Sequence, residues 1–453
     1  MQLLRRRLTI KKGVDNDVLV HAGPGAGKTL GALMGFKKMK EEGRLSKSLV
    51  FSHRKTIKRQ WFQAASLVGL KFIDWEDDLK EGKSFENTDG LLVTYQSASR
   101  NYLALFDYIR NFNSDGLIAI ADEAHHLGVN PEEPDGPVWG RTFLELTKNF
   151  KLRLGLTGTP FRADNLAFCS GKRVCIQFGE EMVEQITPDL CVEPKELIQS
   201  GDVRPLEFRF QDGCVKHRKE GSSQTEFSAL SAETREQWRA RNLRRAIKLS
   251  DSSSIALQII IRAKSRLNKV RIRHCNAAGL VIAKDIDHAI SISNFLKEQG
   301  DEVDLVHSQE LNACEKLARF QNGKADWLVS VDMCSEGFDA PRIRVVAYLT
   351  TVVTKTRFLQ GVTRAVRMSS ERSSLELIPR EPSYIFSPAD PLLIGFARNW
   401  SITNPYLIKG FERFDIENFN NANSSSLSLP LEAVHDAAGA MIKLRRAELP
   451  GFL

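Results

Sequence analysis

The sequence lacks the marks of a membrane or secreted protein. No apolar run approaches the roughly 18 to 20 residues that a membrane-spanning helix needs. The basic N-terminal stretch MQLLRRRLTIKKG has no apolar segment of the kind found in a signal peptide. We therefore expect a cytoplasmic protein without membrane contacts.

Paired cysteines are also missing. The chain has seven cysteines, and none of them forms a CxxC pair. This spacing is typical of reduced, mostly buried thiols, and it argues against a zinc site. Nuclease and zinc-finger motifs are absent as well, which leaves no accessory domain of a recognisable kind.

The chain is long and moderately basic. Its 453 residues exceed one ordinary core, and a hydrophobic share of 42% with a charged share of 26% is typical of globular proteins. Lys and Arg number 64 against 56 Asp and Glu, which gives a formal net charge of +8. Such a balance favours a polyanionic partner without proving one.

Short apolar, β-branched segments recur in two series, and polar or amphipathic stretches of helix length separate them. The first series is DVLVHAG (17–23), KSLVFSH (47–53), GLLVTYQS (90–97), GLIAIADE (116–123) and LRLGLTGTP (152–160). The second is GLVIAKD (279–285), DEVDLVHS (301–308), DWLVSVD (326–332), RVVAYLT (344–350) and SYIFSP (383–388). Strands that alternate with helices predict two α/β domains, each with a parallel sheet buried on both faces.

Changes in composition set the expected domain boundaries. We expect a first domain over 1–210, a basic helical hinge over 211–275, a second domain over 276–390 and a C-terminal extension over 391–453. The extension has an Asn- and Ser-rich stretch followed by a predicted helix over 431–449.

The Arg- and Lys-rich stretch 231–273 has two interpretations. It is either a basic surface that contacts phosphates, with Trp238 stacking on a base, or a pair of amphipathic linker helices whose charges are solvated. The sequence leaves both open.

The stretch HAGPGAGKT (21–29) joins a predicted strand to a predicted helix through a glycine-rich loop. Glycines let backbone N–H groups wrap a phosphate chain, and the helix N-terminus adds a favourable dipole. Lys28 can then pair with the β- and γ-phosphates, and Thr29 can hold Mg²⁺. The sequence therefore predicts an ATP site. Its cofactor-binding residues are Gly23, Gly25, Ala26, Gly27, Lys28 and Thr29.

The apolar strand GLIAIA runs directly into the acidic sequence Asp122–Glu123–Ala124–His125. Ligands of parallel sheets bind at the carboxyl ends of the strands. Asp122 can hold Mg²⁺, mostly through its water shell, and Glu123 can orient and deprotonate the attacking water. His125 and His126 are adjacent and would rarely converge on one metal, so we do not expect a metal site there.

In this order the motifs resemble the core of a superfamily 2 DEAD/DEAH-box helicase, of DEAH type and of the DNA-repair and restriction-like branch. Ala22 replaces the first glycine of the phosphate loop, and the resulting AxxGxGKT form is common in that superfamily. The resemblance covers roughly residues 15–390. It implies an α/β protein with two RecA-like parallel-sheet domains and an ATP cleft between them, plus a short, mainly helical C-terminal tail.

Further segments resemble the family's nucleic-acid-contacting motifs. They are FSHRKTIKRQW (51–61), VTYQS (93–97), VHS (306–308) and SVDMCSEGFDAP (330–341). The nucleic-acid-binding residues that this resemblance implies are Arg54, Thr94, Gln96, His307 and Ser330.

The resemblance also implies residues that link the nucleotide to the nucleic acid. LTGTP (156–160) is similar to a motif whose hydroxyls couple the two sites, which implies coupling roles for Thr157 and Thr159. His125 is implied as the third coupling residue, and Gly337 and Asp339 are implied to approach the nucleotide.

The segment QGVTRAVR (360–367) resembles the family's arginine motif, with Thr363 in place of glycine. Spacings of four and three predict that Gln360, Arg364 and Arg367 share one helical face. The resemblance implies that these three residues act catalytically, with Lys28 and Glu123, on a γ-phosphate held by the other domain.

The sequence therefore predicts an ATP-dependent helicase or translocase that uses ATP and Mg²⁺. DNA is favoured over RNA because LTGTP and QGVTRAVR are more similar to the DNA-repair and restriction branches. The family's upstream glutamine reads adenine, and Gln2 is the candidate here, without an aromatic neighbour. One alternative is a motor subunit of an anti-phage or restriction-like complex, with a protein partner from a neighbouring gene. Another is a nucleotide-gated interaction protein.

Overall fold

A computed structural model gives the structure of the chain. It describes residues 1–9, 17–78, 84–127, 136–158, 173–178, 181–218, 225–249, 254–310, 312–331, 338–398, 400, 406–407 and 443–444. These residues form two compact units: the first comprises the described residues up to Pro194 together with Tyr406–Leu407, and the second comprises the remaining ones from Lys195 onward.

The first unit is built on a seven-stranded parallel sheet. Its strands run in the order β3-β4-β2-β5-β6-β1-β9, and β7 pairs antiparallel with β8 outside this sheet. The bounds are β1 (Asp17–Ala22), β2 (Lys47–Ser52), β3 (Phe72–Asp74), β4 (Gly90–Thr94), β5 (Leu117–Asp122), β6 (Leu152–Thr157), β7 (Arg173–Phe178), β8 (Glu181–Ile186) and β9 (Leu190–Val192).

Helices cover both faces of this sheet. They are α1 (Gln2–Leu8), α2 (Lys28–Glu41), α3 (Lys55–Leu67), α4 (Tyr95–Arg100), α5 (Tyr102–Ile109) and α6 (Gly136–Thr147). Every residue of β5 is buried: Ile118 and Ile120 pack on the side of α1 to α3, and Ala119 and Ala121 pack on the side of α4 to α6. Burial on both faces explains why this strand reads as a continuous apolar run.

The second unit contains a six-stranded parallel sheet in the order β10-β17-β16-β13-β15-β14. The strands are β10 (Leu206–Gln211), β11 (Gly213–Arg218), β12 (Thr225–Ala229), β13 (Ala278–Ala283), β14 (Val303–Val306), β15 (Trp327–Ser330), β16 (Ile343–Leu349) and β17 (Ser383–Pro388). The helices are α7 (Pro194–Ser200), α8 (Glu236–Ala246), α9 (Ile255–Arg271), α10 (Ile286–Glu298), α11 (Ala313–Gln321), α12 (Lys355–Val362), α13 (Ser370–Leu375) and α14 (Pro391–Arg398). All ten predicted strands are present, which confirms the expected pair of parallel-sheet α/β domains.

The division between the units falls before the boundary expected at residue 210. Strand β10 pairs in parallel with β17 along its whole length, so it forms one edge of the second sheet. Helices α8 and α9 bury their apolar side chains in the core of the same unit. Residues that we expected to form a hinge therefore belong to the second unit.

Part of the predicted C-terminal helix is wrong. Most of 431–449 lies outside the described residues, but Lys443–Leu444 are extended and form strand β19, which pairs antiparallel with β11. Tyr406–Leu407 form strand β18, which pairs antiparallel with β8. In these short segments, cross-strand backbone hydrogen bonds replace the local bonds of a helix.

The described residues bear on two expectations drawn from what the sequence lacks. Among the described residues, no helix has both the length and the apolarity to cross a bilayer. Cys191 and Cys275, whose side chains the structure describes, are exposed, so the thiols are not uniformly buried.

Candidate nucleotide and nucleic-acid site

The phosphate loop connects the end of β1 to the start of α2. Gly25 and Gly27 adopt left-handed conformations with φ of 84° and 71°. For a residue with a side chain this conformation would cost about 1–2 kcal/mol. A Cβ placed on Gly27 would meet no atom within 4 Å, so the space beside the N-terminus of α2 is open. These features fit a bound triphosphate.

Lys28 is the first residue of α2, and its Nζ donates to the carbonyl oxygen of Ala22 at 3.0 Å. Thr29 follows it and is half-buried. Two of the predicted loop amides are already engaged, because Gly23 N–H donates to Val192 and Ala26 N–H donates to Gly23, each at 3.2 Å. Gly25, Gly27 and Lys28 are therefore the more suitable amide donors for a phosphate.

The acidic pair lies at the carboxyl end of β5. Asp122 is 6% exposed, and its Oδ2 accepts a hydrogen bond of 2.8 Å from Trp61 Nε1. Glu123 has φ of 49° and so lies in the left-handed region, which residues other than glycine rarely adopt. A strained residue of this kind is common at functional sites. It turns the chain so that the Glu123 side chain follows Asp122 at the edge of the sheet.

The electrostatics of Asp122 suit a cation site. Burial, and then the neighbouring Glu123 carboxylate, raise the pKa of Asp122 to about 6. The Trp61 hydrogen bond and the charge of Lys28 oppose this rise only partly. A divalent cation would favour the ionised carboxylate, so the buried oxygen donor fits Mg²⁺.

The predicted coupling residues meet in the first unit. His125 Nδ1 lies 3.1 Å from Thr157 Oγ1 and 3.4 Å from Glu123 Oε2. Gly158 follows Thr157, and its N–H points to Glu123 Oε2 at 3.5 Å. Thr159 lies outside the described residues. The structure thus brings together two of the three candidates, beside the expected water-activating carboxylate.

The nucleic-acid candidates of the first unit differ in their surroundings. Arg54 caps α3 and is half-buried, and Gln96 on α4 is also half-buried. Thr94 is 3% exposed, and its Oγ1 accepts from Ser97 N–H at 3.1 Å as the cap of α4. The Thr94 hydroxyl therefore has a local structural role, because capping uses the oxygen that we expected to contact a strand.

In the second unit, His307 follows β14, with Nε2 3.6 Å from Glu310 Oε2, and Ser330 ends β15 and is 1% exposed. Gly337 lies outside the described residues. Asp339 is half-exposed, and its Oδ1 lies 2.9 Å from a terminal nitrogen of Arg367. Asp339 is thus paired with an arginine of its own unit.

The prediction that Gln360, Arg364 and Arg367 share one helical face is wrong. Helix α12 ends at Val362, a 3₁₀ turn spans Thr363–Val366, and Arg367 is extended. Thr363 is the physical reason: its Oγ1 donates to the Leu359 carbonyl at 2.6 Å, and such back-bonding commonly bends or ends helices.

The two arginines instead converge on one neighbouring segment. The guanidinium of Arg364, which is 6% exposed, donates to the Phe338 carbonyl, and that of Arg367 pairs with Asp339. The arginine motif and the segment 338–339 therefore form one local structure within the second unit.

Comparisons with known proteins agree with this arrangement. Residues 2–162 match the family model for the type III restriction enzyme, res subunit, and residues 264–369 match that for the helicase conserved C-terminal domain. The chain belongs to the superfamily 2 helicases.

This superfamily 2 helicase has a relative in Mycobacterium tuberculosis, an uncharacterized protein that is 30% identical over 391 residues, which cover 84% of this chain and 60% of that protein. The chain spans about three fifths of the length of the curated relatives that it matches.

Two solved structures share the fold. Mycobacterium smegmatis helicase Lhr bound to ssDNA and AMP-PNP gives a TM-score of 0.51 at 14% identity, covering 92% of this chain and 47% of that one. The ATP-dependent Type ISP restriction-modification enzyme LlaBIII bound to DNA gives 0.53 at 12% identity, covering 92% and 32%.

Sequence reasoning missed two residues that support the acidic turn of the helicase. Trp61 is fully buried and binds the Asp122 carboxylate, and the Tyr95 hydroxyl donates to the Asp122 carbonyl at 2.8 Å. Both are aromatic side chains with a hydrogen-bonding head, which normally find a partner when buried. Their position next to motif residues was the available signal.

Proposed function

We propose that this chain is an ATP-dependent motor that unwinds or moves along nucleic acid, with DNA favoured over RNA. The observation that carries the proposal is the convergence of Lys28 and Glu123 on Gly158, which lies at the end of β6 between β1 and β5. A Cβ on Gly158 would lie 3.0 Å from Lys28 Nζ, and its amide faces Glu123. Cation and carboxylate thus flank one small space beside the phosphate loop.

The chain's own residues can perform each part of ATP hydrolysis. The open amides at the start of α2 and the ammonium of Lys28 hold and neutralise the phosphates. Thr29 and Asp122 would hold Mg²⁺, which neutralises charge that develops on the phosphate oxygens. Glu123 orients the attacking water and accepts its proton.

The resemblance supplies the second half of the proposed mechanism. It assigns Gln360, Arg364 and Arg367 to the transferring phosphoryl group, where an arginine fork is worth about 10³ to 10⁵ in rate in related NTPases. The clustering of Arg364 and Arg367 on segment 338–339 supports a concerted role, because the Phe338 carbonyl and the Asp339 carboxylate that hold them belong to adjacent residues.

The preference for DNA rests on similarity. Lhr is described with ssDNA and LlaBIII with DNA, and both share the fold of this chain. Arg54 and Gln96 in the first unit, and His307 and Ser330 in the second, remain the proposed strand contacts.

A second candidate function is the motor subunit of a restriction-like or anti-phage assembly. The match of residues 2–162 to a restriction-enzyme subunit favours it. Such a protein would show weak unwinding alone and strong unwinding with the product of a neighbouring gene. A nucleotide-gated interaction protein is the third candidate, and normal turnover would exclude it.

The test is ATP hydrolysis with single-stranded DNA, duplex DNA, RNA or no nucleic acid. We expect DNA to stimulate most, and no stimulation by any of the three would contradict the motor. Glu123→Gln should bind ATP but hydrolyse it about 10² to 10⁴ times more slowly, because the water loses its base. Glu86→Gln makes the same chemical change at an exposed site of the first unit and should behave as wild type.

A further inference from the structure

Helix α9 and the edge strand β10 enclose a basic groove within the second unit. Its volume is about 360 Å³. Four of its nine lining residues are cationic, and none of the nine is acidic. The cations are Arg209, Arg262, Arg266 and Lys269. We call this feature the α9 groove.

The groove arises from the two faces of α9. One face carries apolar residues such as Ile259, Ala263 and Leu267, which are buried in the second core. Arg262, Arg266 and Lys269 follow at spacings of four and three, so they form a stripe along one side of the helix. Arg262 and Lys269 are about 10 Å apart along the axis, the length of about three nucleotides of a duplex strand.

The charges in the groove are less neutralised than the charges beside it. On the same helix, Lys264 pairs with Asp301 at 2.9 Å and Arg271 pairs with Asp326 at 2.7 Å. Arg262 and Lys269 are exposed and form no ion pair within the described parts of the chain. The helix thus pairs its cations outside the groove and leaves those at its rim available.

The remaining two cations are fixed in place by neighbouring side chains. Arg209 pairs with Glu207, its Nε lying 2.8 Å from the carboxylate, and it also lies over the Tyr384 ring. Arg266 stacks on the same ring, with its guanidinium 4.5 Å from the centroid. Because a terminal nitrogen of Arg209 also donates to Glu207, only Arg266 keeps its terminal N–H groups available to an acceptor while the ring holds its guanidinium.

An extended polyanion fits this pattern better than a single phosphate does. The unpaired cations lie along a line instead of converging on one point, and Phe210 and Phe386 give the groove an apolar floor. A row of Lys and Arg beside aromatic surface is typical of sites that track a nucleic-acid backbone.

We propose that the α9 groove binds the sugar–phosphate backbone of a nucleic-acid strand, as a contact additional to the motif residues at the carboxyl ends of the strands. This inference rests on the proposed motor function, since it requires that the protein bind a nucleic-acid strand. It assigns the exposed side of the predicted hinge to the partner and its apolar side to the core. Each earlier interpretation of the basic stretch would then describe one side of α9: the cationic side contacts phosphates, and the apolar side packs as an amphipathic helix.

The test is the binding of labelled oligothymidylate to the full chain over a range of salt concentrations. Arg262→Gln with Lys269→Gln should weaken binding about tenfold at low salt. It should also lower the slope of log K against log salt by about 1.4, since each single-strand phosphate contact contributes about 0.7. Both side chains are exposed, so the unfolding temperature should not change. Lys324→Gln, an exposed lysine of the same unit outside the groove, should leave affinity and slope unchanged.

Each outcome decides the matter. If the double variant keeps the wild-type slope while wild type binds, the groove is not a strand contact and the motor proposal stands. If wild type binds no nucleic acid, both proposals fail. If the double variant loses affinity for inorganic triphosphate but not for oligothymidylate, a free phosphate compound is the ligand and the backbone assignment is overturned.

Discussion

The hydrogen bond from Trp61 to Asp122 offers a test of how the acidic turn is supported. Trp61→Phe keeps an aromatic ring in this fully buried position, and it removes the donor that lies 2.8 Å from Asp122 Oδ2 together with part of the indole volume. A hydrogen bond to a charged group contributes about 1.5–3 kcal/mol. Since 1.4 kcal/mol corresponds to a factor of ten, we expect Mg²⁺ affinity to fall about 10- to 100-fold.

The direction of this change follows from the pKa of Asp122. The Trp61 hydrogen bond lowers that pKa, against burial and the charge of Glu123, which raise it. Without the donor the pKa rises further, so protons compete more strongly with Mg²⁺ for the carboxylate. The variant should therefore need more Mg²⁺ to reach half-maximal ATP hydrolysis, and also half-maximal thermal stabilisation in the presence of ATP.

Trp75→Phe is the matched control. Trp75 is half-buried in the same unit, and its ring lies 5.5 Å from the Tyr108 ring. The control should show the wild-type dependence on Mg²⁺. Equal Mg²⁺ dependence in wild type and Trp61→Phe, or an equal shift in both variants, would refute the role of Trp61.

Two further predictions concern stability. His21 is 6% exposed, and burial, with the charge of Lys28, lowers its pKa to about 4. Between that value and the unfolded value of about 6.5, the unfolded chain binds more protons, so unfolding free energy should fall by about 2 kcal/mol from pH 7 to pH 5. The unfolding free energy of His21→Gln, measured with urea, should lose this pH dependence. A variant with the same pH profile as wild type would contradict the role of His21. Arg239 pairs with fully buried Asp390 at 2.8 Å, so Arg239→Met should cost about 3–5 kcal/mol by stranding a buried charge. Adding Asp390→Asn should recover much of that loss in the same assay, and equal costs for the single and double variants would show that the pair is not coupled.

The sequence predicted the strands of both sheets because each is buried on two faces and reads as a short apolar run. Strand β10 was missed as part of the second sheet even though its pattern was visible: Leu206, Phe208 and Phe210 are buried and alternate with half-buried polar residues. Its partner β17 is far away along the chain. No local rule states which sheet edge such a strand joins, and so the domain boundary was placed too late.

The sequence likewise predicted one part of the candidate site and not the other. The phosphate loop and the acidic pair could be placed from sequence because carboxyl ends of parallel strands share one edge. Side-chain partners could not be placed in this way. The Thr94 hydroxyl caps a helix, and the Thr363 hydroxyl ends one, because local backbone groups compete with distant ligands for a threonine oxygen.

The support of the acidic turn links the two functions that the sequence assigns to separate motifs. Trp61 and Tyr95 lie in the segments that resemble nucleic-acid-contacting motifs, yet their polar heads hold the carboxylate and the carbonyl of Asp122. Glu123 occupies a left-handed conformation that costs about 1–3 kcal/mol, and such a conformation persists only where its surroundings over-determine it. A bound nucleic-acid strand that displaces α3 or α4 would therefore displace the groups that hold this turn. Strand binding and water activation would then be coupled through direct contacts in one unit, before any larger movement is needed.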